Sequence, residues 1–118
     1  MSDWERLAEL ELEVEDYVLE PLQASVSSDF ERKCTVIHLR GRGQEGLGED
    51  VTYDAEDHEI LQAAGPVLPL AGRHTVGSFS ELLAGMSLFP EPPQREVSER
   101  YRTWAYESAA LDLSLIHI

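Results

Sequence analysis

The sequence predicts an α+β domain: a three-stranded antiparallel meander followed by three helices. Three observations carry that prediction. Apolar and polar residues alternate through much of the first half, short glycine-bearing connections separate the alternating runs, and the apolar period lengthens to three and four beyond Asp54.

Leu10, Leu12, Val14, Val18, Leu22, Ala24 and Val26 fall on one parity, with Glu9, Glu11, Glu13 and Glu15 between them. That is a strand with one wet face. Pro21 cannot donate to a ladder, so the strand is expected to be long, interrupted, and at an edge or bulge near the proline. After the polar connection from Ser27 to Arg32, Cys34 to Arg40 is rich in β-formers and ends at Gly41. Gly41 to Gly46 carries turn chemistry, and Leu47, Glu49, Val51 and Tyr53 alternate as a third strand. Connections this short make the pairings antiparallel.

Asp54 is the expected N-cap of a helix through Ile60, Leu61 and Ala64, closed by Gly65-Pro66, with Glu56 and Asp57 suiting its positive end. Ser78 and Glu81 have capping-box spacing for a second helix through Met86. Pro90, Pro92 and Pro93 stiffen the approach to a third, in which Val97, Tyr101, Trp104, Ser108 and Leu111 share one face. His38 and His58 are expected to be partly exposed structural residues.

A chain of 118 residues has room for one core. A net charge of -14 argues against nucleic acid, whose counterions only Lys and Arg displace, and against an anionic membrane surface. The densest acidic run, Glu9 to Asp16, reads as a solvated face. Cys34 is the single cysteine, which excludes an internal disulfide and favours a reducing cytoplasm. No secretory signal or spanning apolar run is present in the sequence.

Several chemistries fail on their own terms. Gly41, Gly43 and Gly46 have dinucleotide-fingerprint spacing, yet a strand rather than a helix is expected after them, so nothing would hold a pyrophosphate. His38, His58 and His74 form no metal-binding pair at helical spacing. Ser78 and Ser80 lack the Gly-x-Ser-x-Gly elbow of a serine hydrolase.

Two segments carry a resemblance. Gly46-Leu47-Gly48-Glu49 opens the third strand, and Ala105-Tyr106-Glu107-Ser108-Ala109-Ala110-Leu111-Asp112-Leu113 lies in the last helix. In this order they resemble the N-terminal capping domain of the enolase superfamily, in its mandelate racemase and muconate lactonizing branch. The resemblance implies a parent enzyme, an isomerase or lyase, that removes the proton α to a carboxylate and stabilises the enediolate with Mg2+. The base and metal ligands would lie on a barrel domain beyond this chain, so no catalytic or metal-binding residue is expected here and the chain alone should be inactive. It further implies substrate-covering loops at about Ser27 to Phe30 and Asp50 to Tyr53, with Asp29, Phe30 and Tyr53 as the candidate substrate-binding residues. The partners implied are the barrel domain of the same polypeptide and a small carboxylate, and the parent could be homo-oligomeric. A free-standing acidic α+β protein-interaction module without catalysis is the competing reading.

Gly46 and Gly48 could serve turn geometry or the close approach of another backbone, and the low surface formed by Ala105, Ser108, Ala109 and Ala110 is expected to face the barrel. Leu113 to Ile118 match the translation of a transposon-end adaptor used in sequencing libraries. The capping domain is therefore expected to occupy residues 1–112, with 113–118 an adaptor-derived tail.

Overall fold

The computed structural model describes the backbone of residues 2–27 and 30–118, and the side chains of these except 24–27 and 30–32. The described elements are α1 (Asp3–Ala8), β1 (Glu11–Val14), β2 (Asp16–Ser27), β3 (Phe30–Gly41), β4 (Gln44–Asp50), α2 (Ala55–Ala64), β5 (Gly72–Thr75), α3 (Val76–Ala84) and α4 (Ser98–His117). The fold is α+β. An antiparallel sheet in the order β2-β3-β4 forms one layer, and α4 and α2 cover its inner face.

The meander follows the alternation in the sequence, with one change. The first strand breaks at Glu15 rather than at Pro21, which sits within β2, where only β3 pairs with it. The interruption arises because β1 leaves the meander and pairs with β5, placing Leu12 opposite His74 and Val14 opposite Gly72. This second, two-stranded sheet lies outside the expected three strands. Its reason is the core, since Leu12 and Val14 are both buried there. β3 and β4 are joined by Arg42 and Gly43, both at positive φ, as a two-residue hairpin of this hand requires.

The helix starts differ in their caps from the spacing in the sequence. α2 begins after Asp54, as expected, but no side-chain cap bond forms there. Asp54 instead accepts from Arg95 Nε at 3.0 Å. α3 starts at Val76, earlier than Ser78: Thr75 is the cap, its hydroxyl accepting from Ser78 N at 3.1 Å while Ser78 Oγ accepts from Thr75 N at 2.9 Å. The reciprocal box is therefore Thr75/Ser78, not Ser78/Glu81. α3 also ends at Ala84, short of Met86.

The inward sides of β4 and α4 are those rich in small and polar residues. In β4 the inward set is Gly46, Gly48 and Asp50, while Leu47 and Glu49 face outward, and Val51 and Tyr53 lie beyond the strand. In α4 the buried set is Ser98, Arg102, Ala105, Tyr106, Ala109, Ala110, Leu113 and Ser114. The stripe of Val97, Tyr101, Trp104, Ser108 and Leu111 is the outer one, with Trp104 55% exposed. Ala105 and Ala109 thus pack on this chain's own Gly48 and Gly46, and the low surface is filled from within. α4 continues through residues 113–117, Leu113 being fully buried and His117 Nε2 lying 3.4 Å from Glu13 O.

Candidate functional site

At the end of β4 a polar network replaces the apolar core. Asp50, Thr52, Asp57, His58 and Arg102 are all buried. Asp50 Oδ2 accepts from Arg102 Nε at 2.6 Å, and Oδ1 accepts from Thr52 N at 3.0 Å and Thr52 Oγ1 at 2.6 Å. Arg102 also donates to the carbonyls of Asp57 and Leu88, and its guanidinium lies 3.8 Å from the centroid of Phe89. A buried charge is tolerated only with this degree of pairing. The shape of the chain after β4 is fixed by it.

The network continues through His58. Its Nε2 donates to Thr52 O at 2.8 Å, its Nδ1 is 2.9 Å from Thr35 Oγ1, and Gln62 donates to that hydroxyl at 2.9 Å. The expectation of a partly exposed His58 is therefore corrected: the ring is fully buried, because α2 and β3 both need a polar link to Thr52. His38 is partly buried on the outer sheet face, between Glu20 and Glu45.

Held by these bonds, Val51 to Asp54 projects Tyr53, which is 62% exposed. Arg95 lies 4.7 Å above the Tyr53 ring centroid and donates through Nε to Asp54. Gln94 N donates to Asp57 Oδ2 at 3.2 Å, tying the proline-rich segment to α2. A phenol and a guanidinium are thus side by side at the surface, a combination able to cover and pair with an anionic group.

Of the other candidate substrate-binding residues, Asp29 lies outside the described residues. Phe30 is described in its backbone alone, opposite Ser27 at the hairpin end of β2 and β3. That hairpin and the Tyr53 loop leave the same end of the sheet, since Asp50 pairs with Thr35. Phe30 lies five residues further on, so the hairpin overshoots the end of β4 by roughly 17 Å of strand. The structure places Tyr53 beside Arg95.

Sequence reasoning missed Asp50, Arg102 and Arg95. One signal was available for Arg102, a cation on the side of α4 that carries Ala105, Ala109 and Leu113. Among the described residues no group of three or more His, Cys, Asp or Glu could hold a metal ion. No helix among them is long and apolar enough to cross a membrane.

No curated protein matches this chain, and no solved structure matches it either. A family described as "Domain of unknown function (DUF8230) N-terminal domain" matches residues 5–117, and the chain belongs to that family.

Proposed function

We propose that this chain is the substrate-capping N-terminal domain of an enolase-superfamily enzyme, whose parent removes the proton α to a carboxylate as a racemase, epimerase, dehydratase or cycloisomerase. The observation that carries the reading is the loop after β4. A fully buried Arg102–Asp50 pair anchors a segment whose Thr52 is buried against His58 while Tyr53 projects to the surface beneath Arg95. Such a loop suits a domain that closes over another surface and excludes water from a reacting centre. Two further facts support it: an antiparallel meander succeeded by helices, and a family described as an N-terminal domain.

In this reading the barrel of the same polypeptide supplies the base and the Mg2+ ligands, and this chain supplies none. Tyr53 covers the substrate, and Asp29 and Phe30 are the further substrate-binding residues of this reading. The parent works in the cytoplasm, in keeping with a single, buried cysteine.

The test is to read the genomic frame beyond Asp112 and assay the full-length product for Mg2+-dependent exchange of α-protons of carboxylic acids in D2O. A barrel segment with exchange activity supports the reading, and Tyr53→Ala should then raise KM. A native stop codon close behind Asp112 sinks it and favours the interaction module.

A further inference from the structure

Both tryptophans of the chain line one cleft. Trp4 and Leu7 of α1 form one wall, Trp104 and Leu111 of α4 the other, and Val76 and Glu107 also line it. Trp4 is 54% exposed and Trp104 55%, although both are large apolar side chains that folding ordinarily covers. The cleft has a volume of about 280 Å3, at the lower end of the ~300–1,000 Å3 of small-molecule pockets, and both its walls are helices. It suits side chains projected from a neighbouring polypeptide.

The spacing along α4 specifies which kind. Val97, Tyr101, Trp104, Ser108 and Leu111 recur at alternating intervals of four and three, the seam that helices use to pack against helices. Charge narrows the partner further. No Lys or Arg lines the cleft, Glu107 does, and the chain carries -14, which opposes docking of a second copy.

We propose that the cleft between α1 and α4 docks an amphipathic helix whose apolar face is flanked by Lys or Arg. Apolar side chains of that helix enter between Trp4 and Trp104, and a flanking cation pairs with Glu107, whose Oε2 already accepts from Ser80. The proposal does not depend on the capping function and stands or falls separately.

Because both tryptophans lie in the cleft, intrinsic fluorescence of the 118-residue chain reports on it directly. The probe is a synthetic peptide of about five helical turns with Leu at helical spacing and Lys on either side. Its control has the same composition in scrambled order. The amphipathic peptide should shift tryptophan emission to the blue and saturate, with the scrambled peptide about tenfold weaker or worse. Trp104→Ala and, separately, Trp4→Ala should each weaken binding about tenfold by calorimetry, as loss of an anchoring aromatic does. Circular dichroism of each variant checks that the fold survives. Leu47→Ala, on the outer sheet face, should leave binding unchanged. Equal binding of the scrambled peptide, or equal loss in Leu47→Ala, would overturn the proposal. So would self-association of the chain that Trp104→Ala abolishes, because the occupant would then be a second copy.

Discussion

Gly48 lies against the carbonyl of Ala105 so closely that a methyl group on it would stand 1.9 Å from that oxygen. Gly46 meets the next turn of α4 in the same way, 2.3 Å from Ala109 O. These two glycines let a helix backbone settle directly on a strand, and the alanines of α4 are small for the same reason.

Gly48→Ala should therefore destabilise the fold at or above the upper end of the ~1–3 kcal/mol that overpacking costs, because the atoms it meets are backbone and cannot rotate away. Gly85→Ala is the control. Its nearest atoms would be an ordinary 3.7 Å away and its φ is -89°, so the change should stay within about 0.5 kcal/mol. Urea unfolding of the two variants checks the difference, and equal midpoints would refute the close contact.

The meander, the turn glycines and the helix-rich second half were legible because each rests on local chemistry. The faces of β4 and α4 were not. Hydrophobic periodicity finds the stripe with the largest apolar side chains, and in α4 that stripe holds Trp104 and Leu111 on the outside. The buried face instead sets Tyr106 and Leu113 among alanines, serines and Arg102, and the small and charged residues weaken its periodicity signal. The β1–β5 pair was hidden for a different reason: its strands are separated by more than 50 residues, and Gly72–Thr75 is too short to announce itself. In the candidate site, alternation placed Tyr53 inside the third strand, and the exposed position it takes beyond Asp50 depends on the bonds that Asp50 and Thr52 make. Arg95 and Arg102 were not legible there, because only tertiary contacts bring them to the site.

The buried pair leads to a second prediction. Arg102→Met leaves the Asp50 carboxyl at 0% exposure without its cation, and should cost about 3–5 kcal/mol. Adding Asp50→Leu should recover part of that loss, since a buried pair replaced as a unit is far less costly than one broken. A double-mutant cycle by urea denaturation measures the coupling. Additive losses would mean that the pair does not act as one unit.

Thr75→Ala removes the cap of α3 and should cost about 1 kcal/mol, while Glu81→Ala should cost only a few tenths because Glu81 is outside the box. Thermal melts separate the two. A larger loss at Glu81 would restore the cap expected from spacing alone.

Tyr53→Ala should leave stability within about 0.5 kcal/mol of the parent sequence, since the ring is largely exposed and Arg95 retains Asp54. A loss above ~1 kcal/mol by urea unfolding would make Tyr53 a structural residue and remove it as a substrate-facing candidate.

The outer sheet face carries a pH-dependent contact that ties its three strands together. His38 of β3 has Nε2 2.8 Å from Glu20 of β2 and Nδ1 3.1 Å from Glu45 of β4. A neutral imidazole has one N–H and cannot donate to both, so the arrangement favours the imidazolium. Burial works against the charge, but the hydrogen bonds that His38 donates to Glu20 and Glu45, with their negative charges, outweigh it and raise the His38 pKa above its ordinary 6.5. A raised folded pKa means that the contribution is fully present below pH 6.5 and is lost as pH rises through the folded value. Among the described residues of this face, the cation near the ring, Arg40, is held by Asp16 in a bidentate pair, and Glu49 adds negative charge, so neither reverses the sign. Between pH 6 and pH 8.5 the chain should lose about 0.2–1 kcal/mol of stability that His38→Gln does not lose. Urea midpoints at the two pH values, with the His38 ring titrated by NMR, measure both quantities. A ring that titrates at or below 6.5, or a variant with the same pH slope as the parent, would show that the imidazolium does not join the strands.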